Sequence, residues 1–156
     1  MKNKNLVLTF DEEEFVSVEL LKLKQKIPYH ELFFKINQQN SFYFSRRKDL
    51  VIEDDSGYYQ FPVFEGFDEV RQITYTIIAN QSYDFRRKEK QIVGLFDLIE
   101  EEKFFINSNI DFILFSKEGE TDFSALNLPK DWFYTMQNCS LNLEDELYQI
   151  ILDYDE

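Results

Sequence analysis

Alternating apolar and polar residues are the commonest pattern in this chain, and they predict several β-strands. The clearest case is Arg71–Ala79, RQITYTIIA, in which β-branched and aromatic side chains occupy both alternating faces. The most apolar stretch, Phe104–Phe115, is interrupted by the polar Asn107–Asn109, which predicts two strands separated by a turn or a bulge. Similar alternation predicts further strands over Phe15–Lys24 (where a helix is the alternative), Ser41–Ser45, Tyr58–Phe64 and Asp131–Cys139.

Two stretches have the spacing of an amphipathic helix instead. The first helix is predicted to begin at Pro28, because proline fits the opening turn of a helix. Its apolar residues recur on one face, at Tyr29, Leu32, Phe33 and Ile36. The second is predicted over Leu143–Leu152, with Asn142 as its N-cap.

Short connections separate these elements. Loops are predicted at Glu65–Glu69, around Gly66, and over the polar and basic stretch Asn80–Gln91. Strands joined by short turns, together with two helices, predict an α+β fold: a mostly antiparallel β-sheet with both helices packed on one face. We expect one domain spanning residues 1–156.

Composition and charge restrict the possible functions. Hydrophobic residues make up 44% of the 156 residues, which is too much apolar material for a disordered chain. The net charge of −13 disfavours general binding to nucleic acid or to anionic membranes. The only apolar segment near the first residue, Leu6–Phe10, is too short for a signal peptide, so we expect a cytoplasmic protein without membrane contact.

Residues typical of catalysis are scarce. The chain has one histidine, His30, and one cysteine, Cys139, so histidine-based triads and thiolate zinc sites are not expected. Its four glycines form no phosphate-binding loop. The sequence therefore predicts no catalytic, cofactor-binding or metal-binding residues, and we expect a protein that is not an enzyme.

Several residues stand out as candidates for molecular recognition. Arg46 and Arg47, and likewise Arg86 and Arg87, follow aromatic residues, a combination typical of proteins that bind single-stranded RNA. The alternative is that these arginines pair with the surplus acids and protect sheet edges. Asp111 lies inside an apolar run, so it either faces solvent or is held by backbone N–H groups or an arginine.

Aromatic residues offer a second kind of recognition surface. With 17 Phe, 9 Tyr and the single Trp132, we expect some aromatic side chains to stay exposed and to contact another protein. Trp132 is one candidate contact among them.

Short segments along the chain also resemble a known family. They are Phe33–Asn37 (FFKIN), Phe42–Leu50 (FYFSRRKDL), Ile77–Asn80 (IIAN), Leu95–Phe96 and Ile110–Phe112 (IDF). In this order they resemble the uncharacterised bacterial family named for its IPExxxVDY motif. Ile110–Phe112 is similar to the VDY end of that motif, whereas Phe104–Ile106 stands where IPE is expected. The resemblance implies a housekeeping role in the cytoplasm, makes Asp111 a landmark of the family and assigns no residue a function.

These observations favour three functions over the remaining alternative, an enzyme that uses only carboxylates. The first is a non-enzymatic protein-interaction module, an acidic adaptor or accessory subunit that binds through aromatic residues on the sheet or beside the Asn107–Asn109 turn. The second is an acidic inhibitor or immunity-type protein that mimics nucleic acid. The third is an RNA-associated factor that uses the two arginine-rich triplets.

Overall fold

The computed structural model describes residues 16–88, 101–117, 122–142 and 145–154. The sequence segments Leu6–Phe10, Leu95–Phe96 and Leu143 lie outside this part of the chain. Its helices are α1 (Tyr29–Gln38) and α2 (Glu146–Asp153), and a short 3₁₀ turn spans Phe123–Ala125. Its strands are β1 (Val16–Leu21), β2 (Phe44–Arg46), β3 (Leu50–Glu53), β4 (Gly57–Phe61), β5 (Val63–Asp68), β6 (Ile73–Ala79), β7 (Tyr83–Arg87), β8 (Phe112–Ser116) and β9 (Gln137–Leu141).

These strands form two antiparallel sheets. The main sheet has six strands in the order β2-β5-β6-β8-β1-β9, and a smaller sheet has three in the order β3-β4-β7. All the strand pairs are antiparallel. The predicted α+β class with a mostly antiparallel sheet is therefore confirmed.

Helix α1 covers the first face of the main sheet. It begins at Tyr29, one residue after the predicted start at Pro28, which is its N-cap, and it buries Leu32, Phe33 and Ile36. The ring of Phe33 stacks on that of Phe64 in β5, with 3.9 Å between the ring centroids. Burying three large side chains of this kind contributes several kcal/mol to the stability of the fold.

The small sheet and helix α2 cover the second face. Phe61 from the small sheet packs with Ile78 and Ile113 of the main sheet, and α2 adds Leu147 and Tyr148 to the same apolar cluster. The two helices consequently lie on opposite faces, which corrects the expectation that both pack on one. The physical reason is that strands such as β8, buried at every residue, are apolar on both faces, and each face needs its own cover.

Pro62 splits the strand that was predicted over Tyr58–Phe64. Strand β4 ends before Pro62 and belongs to the small sheet, whereas β5 begins after it and belongs to the main sheet. Proline has no backbone N–H to donate, which makes it suited to such a junction. Its carbonyl oxygen accepts a hydrogen bond from the N–H of Ala79 at 2.9 Å.

The loop predicted around Gly66 is wrong, because Gly66 lies inside strand β5. A Cβ atom at this position would lie 3.1 Å from the carbonyl oxygen of Tyr43 and 3.2 Å from the rings of Phe42 and Phe44. Glycine is therefore required here because two strands approach closely, and not because the chain turns.

The true turn follows Asp68, which is 1% exposed. Its carboxylate accepts hydrogen bonds from the N–H groups of Val70 at 3.0 Å and Arg71 at 3.2 Å, and from the Arg71 guanidinium at 3.0 Å. Burial raises the pKa of Asp68, but these hydrogen bonds outweigh burial and hold it below its usual value. Asp68 is thus a charged anchor for the turn between β5 and β6.

Other differences follow from tertiary pairing. The stretch Asn80–Gln91, predicted as a loop, contains β7, which pairs with β4. Phe104–Ile106 forms no strand beside β8 and makes one isolated bridge, from Phe104 to Gln81. Helix α2 begins at Glu146 with Asp145 as its N-cap, so the predicted cap at Asn142 is wrong. No helix in the described ranges has both the length and the apolar character needed to cross a membrane.

Candidate interaction site

A buried asparagine, Asn80, organises the loop that leads into β8. It follows β6 directly and is 0% exposed. Its side-chain NH₂ contacts the carbonyl oxygens of Ile106 at 3.3 Å, Asn107 at 3.0 Å and Ile110 at 3.0 Å. Its side-chain oxygen accepts hydrogen bonds from the N–H groups of Phe105 and Ile106, both at 3.0 Å. One side chain therefore satisfies backbone groups along the whole loop.

The loop itself, residues 104–111, contains the turn that the sequence predicted at Asn107–Asn109. The N–H of Ile110 donates to the carbonyl oxygen of Asn107 at 3.0 Å, and the Asn107 side chain accepts from the N–H of Asn109 at 3.1 Å. Because Asn80 holds this loop from inside, its exposed residues are presented in a fixed conformation.

Asp111 ends the loop and is exposed to solvent. One of its carboxylate oxygens accepts a hydrogen bond from the N–H of Leu23 at 2.8 Å. Its backbone is also fixed, since its N–H donates to Leu21 at 2.9 Å and its carbonyl oxygen accepts from Asn80 at 3.0 Å. Asp111 thus combines the two alternatives of the sequence analysis, solvent exposure and a hydrogen bond from a backbone N–H.

A cleft of about 520 Å³ lies between this loop and the segment from Leu23 to Tyr29. We call it the loop cleft. Apolar side chains form most of its walls, and a few polar groups stand among them. The apolar group comprises Leu23, Ile27, Pro28, Phe104, Ile110 and Phe112, and the polar group comprises Lys26, Tyr29, Gln81, Ser108 and Asp111.

This composition is typical of a preformed binding site, in which apolar walls supply area and a few polar groups fix orientation. Phe104 is 37% exposed at the rim, whereas Phe112 is 2% exposed in the wall. On the other side of Ile110 lies a second hollow of about 440 Å³, which is bordered by Asn107, Asn109 and the exposed Tyr134. The predicted turn therefore separates two concave surfaces.

Tyr29 closes one end of the loop cleft. Its ring lies 5.9 Å from that of Phe112 and 5.6 Å from that of Phe64. Burial raises the pKa of Tyr29 and outweighs the opposing charge of Arg46, while the charge of Asp111 adds to the rise. The phenol is neutral at physiological pH, as an ordinary tyrosine is, and can donate a hydrogen bond.

Behind Tyr29, Arg46 forms a small polar cluster with an acid and a phenol. Its guanidinium donates to Asp49 at 2.9 Å and to the hydroxyl of Tyr83 at 3.1 Å, and the same hydroxyl donates to Asp49. Burial alone would lower the pKa of Arg46, but the hydrogen bond and charge of Asp49 raise it above its usual value. The hydrogen bond to Asp49 likewise raises the pKa of Tyr83.

Two of the other predicted arginines also contact acids. Arg47 pairs with Glu65 at 3.0 Å, and Arg86 pairs with Asp84 at 3.3 Å, while Arg87 is exposed at the end of β7. The triplets lie at the ends of strands in different sheets. These contacts agree with the alternative in which the arginines neutralise acids.

The aromatic residues before the first triplet are mostly unavailable for stacking on bases. Phe42 and Phe44 are 8% and 4% exposed and belong to the first core, whereas Tyr43 between them is 75% exposed. An RNA platform uses exposed rings beside its arginines. Besides Tyr43, the described part of this surface offers Tyr83, which is 44% exposed and has its ring centroid 5.8 Å from the Arg46 guanidinium.

Trp132 is half-buried and packs against the core on the first face of the main sheet. Its carbonyl oxygen accepts a hydrogen bond from the N–H of Lys24 at 2.8 Å. The nearby Tyr134 is 51% exposed, and the ammonium groups of Lys22 and Lys24 lie 5.8 Å and 5.6 Å from its ring centroid. Tyr134 is therefore the more accessible aromatic residue of this segment.

A second exposed apolar surface lies at the β2–β5 end of the main sheet, and we call it the aromatic corner. It consists of Tyr43, Phe67 and Val70, which are 75%, 44% and 83% exposed. The pairing of Phe44 with Gly66 places Tyr43 opposite Phe67 on the adjacent strand. Sequence reasoning missed this corner because it placed Phe67 in a loop.

Strand β2 forms one edge of the main sheet, and a side chain covers its outer backbone groups. Asn37, in the last turn of α1, accepts from the N–H of Phe44 at 2.8 Å and donates to the carbonyl oxygen of Phe44 at 3.1 Å. The asparagine amide thus imitates a neighbouring strand and blocks further pairing at Phe44. Asn37, Asn80 and Asp111 all lie in the segments that carry the family resemblance, and each fixes backbone with its side chain.

Comparisons with known proteins identify no relative: no family model, no curated protein and no solved structure matches this chain. The resemblance to the IPExxxVDY family stays a prediction from the sequence. Among the described residues, no group of three or more His, Cys, Asp or Glu side chains is placed to hold a metal ion.

The sequence located part of the loop cleft and missed the rest. It singled out Asn107–Asn109 and Asp111, but not the opposite wall from Leu23 to Tyr29. Leu23 and Asp111, which are 88 residues apart along the chain, belong to opposite walls and are joined by a hydrogen bond. No local pattern marks a contact of that separation.

Proposed function

We propose that this chain is a non-enzymatic, cytoplasmic protein-interaction module, an acidic adaptor or accessory subunit that binds its partner in the loop cleft. The observation that supports the proposal is the fixation of one cleft wall by the buried Asn80. A wall held from inside loses little conformational entropy when a partner binds, and more of the contact energy appears as affinity.

The cleft also has the composition that protein recognition requires. Phe104 and Tyr29 are about one-third exposed at its rim, at 37% and 38%, while Ile110 and Phe112 form a buried apolar floor. Exposed aromatic residues beside buried apolar ones are typical of the centre of an interface. A partner side chain inserted here would lose its contact with water on several sides.

The test is to identify proteins that co-purify with the chain from its own cytoplasm, using mass spectrometry. Phe104→Ala should reduce capture of a specific partner at least about tenfold, as removal of an interface aromatic often does. Phe67→Ala is the matched control, because Phe67 has a similar exposure of 44% but lies in the aromatic corner.

The outcomes separate the possible surfaces. Loss of the partner with Phe104→Ala and retention with Phe67→Ala support the loop cleft. The reverse result would place binding at the aromatic corner and would contradict the cleft as the site. Retention with both variants would contradict both surfaces.

A nucleic-acid mimic remains the second candidate, because the net charge of −13 would attract a protein with a basic active site. The two functions differ in their response to salt. Binding in the apolar cleft should tolerate about 0.5 M NaCl, whereas binding carried by exposed charge should collapse there because the Debye length becomes a few ångströms.

A further inference from the structure

We propose that the loop cleft recognises an apolar side chain next to a positively charged group, such as a phenylalanine or leucine adjacent to a lysine or arginine in a partner's segment. The proposal rests on the proposed function and specifies the chemistry of the partner. Its central feature is the juxtaposition of an apolar cleft with the carboxylate of Asp111 at its rim.

Asp111 is fixed before any partner arrives. Its backbone N–H and carbonyl oxygen are both hydrogen-bonded, and the N–H of Leu23 holds one carboxylate oxygen at 2.8 Å. A carboxylate can accept several hydrogen bonds, so the same group can also receive a donor from a ligand. A cation that meets a fixed carboxylate does not have to order a flexible side chain.

Aromatic rings supply the second element of cation recognition. Phe104 and Tyr29 line the cleft together with Asp111, and each is exposed enough to present its ring to a ligand. A positive charge over an aromatic face gains about 0.5–1 kcal/mol at an exposed site. The ring and the carboxylate favour the same sign of charge.

Basic side chains near the cleft reduce this preference, but among those that the structure describes only Lys26 lines the cleft. Arg46, behind Tyr29, is hydrogen-bonded to Asp49. Lys26 is exposed and lies in the stretch between β1 and α1. The net charge of −13 also draws cationic ligands towards the protein.

The test is an NMR titration of the ¹⁵N-labelled full chain with three capped dipeptide amides: acetyl-Phe-Lys, acetyl-Phe-Glu and acetyl-Ala-Lys. The expected result is that acetyl-Phe-Lys shifts the amide signals of Leu23, Phe104 and Asp111. We expect it to bind about threefold to fivefold more tightly than acetyl-Phe-Glu, the ratio typical of an exposed ion pair. Acetyl-Ala-Lys should bind more weakly than acetyl-Phe-Lys, because it lacks the apolar group.

The variant Asp111→Asn removes the charge but keeps an oxygen that can accept from Leu23. It should reduce the preference for Lys over Glu by about twofold or more while leaving the fold intact. The aromatic rings and the net charge still favour a cation in this variant. Asp153→Asn, at an exposed position on α2, is the matched control and should preserve the preference.

Each outcome bears on one claim. Equal affinity for the Lys and Glu peptides at the same amides would overturn the charge preference and leave the apolar cleft as an interaction site. An undiminished preference in Asp111→Asn would overturn the role of Asp111. If none of the peptides shifts these amides and Phe104→Ala retains every partner, the cleft and the proposed function both fail.

Discussion

Replacing Asn80 by alanine should destabilise the protein severely, because no other side chain serves so many backbone groups in the described structure. The substitution removes the partner of the Ile106 N–H and the contacts to the carbonyl oxygens of Ile106 and Ile110. The N–H of Phe105 keeps its bond to the Asn80 backbone oxygen at 3.2 Å, and Asn107 keeps its bond from Ile110.

The size of the loss follows from the groups left without these contacts. An unsatisfied buried backbone group costs about 1–3 kcal/mol. Ile110 is buried whereas Ile106 is only half-buried. Water can therefore form hydrogen bonds with the backbone groups of Ile106 and offset part of the loss. We expect a decrease of about 3–5 kcal/mol in the free energy of unfolding, against about 5–15 kcal/mol for a typical domain.

Urea unfolding measures this change, followed by the fluorescence of Trp132 and by far-ultraviolet circular dichroism. With a slope of about 2 kcal/mol per molar urea, the midpoint should fall by about 2 M. The matched control is Asn107→Ala in the same loop, whose side chain is exposed and accepts one bond from Asn109. That variant should lose less than about 1 kcal/mol.

The charged variant Asn80→Asp separates accepting from donating hydrogen bonds. It keeps an acceptor for Phe105 and Ile106, but at neutral pH it turns an oxygen towards carbonyl groups in a buried site. We expect at least the loss seen with alanine. A loss below about 1 kcal/mol in Asn80→Ala, or one equal to that of Asn107→Ala, would refute the reasoning.

Three further predictions concern the scaffold. The pKa of Asp68 is lowered in the fold, so its stabilising effect is complete above the unfolded-state pKa of about 3.9 and is lost as the pH falls through the folded-state pKa. In urea titrations, the difference in stability between the wild type and Asp68→Ala should therefore shrink from pH 6 to about pH 3, and a constant difference would contradict this. Asn37→Ala should expose the outer N–H and carbonyl group of Phe44. We expect a loss of about 1–2 kcal/mol in the free energy of unfolding and concentration-dependent self-association in analytical ultracentrifugation. A monomer with wild-type stability would show that the β2 edge needs no cover. Gly57→Ala would place a Cβ atom 2.2 Å from a backbone oxygen of β7. We therefore expect the pairing of β4 with β7 to be disrupted and the melting temperature to fall by several degrees. An unchanged melting temperature would refute the close contact.

Local patterns were sufficient where one element decides its own structure. The alternation over Arg71–Ala79 predicted β6, and Pro28 with its following apolar residues predicted α1. In both cases the periodicity of side chains reflects the direction in which a regular backbone points them. The Asn107–Asn109 turn was found for a similar reason, since asparagine side chains bond their own backbone in turns.

The loop cleft required contacts that no local pattern records. Phe104–Ile106 has the composition of a strand, but Asn80 takes the backbone groups that a neighbouring strand would otherwise take. Gly66 has the composition of a turn, but two strands approach too closely there for a side chain. In each case tertiary packing overrode local propensity.

The amino-acid sequence by itself determined the class of fold, the acidic surface and the scarcity of residues for familiar catalytic chemistry, because each depends on which residues are present and how they alternate. Tertiary structure decided which faces the helices cover, where the exposed aromatic residues lie, and that Leu23 and Asp111 form opposite walls of one cleft. The physical reason is that a binding site joins residues distant in sequence, and their separation in space is set by strand order and by buried hydrogen bonds such as those of Asn80.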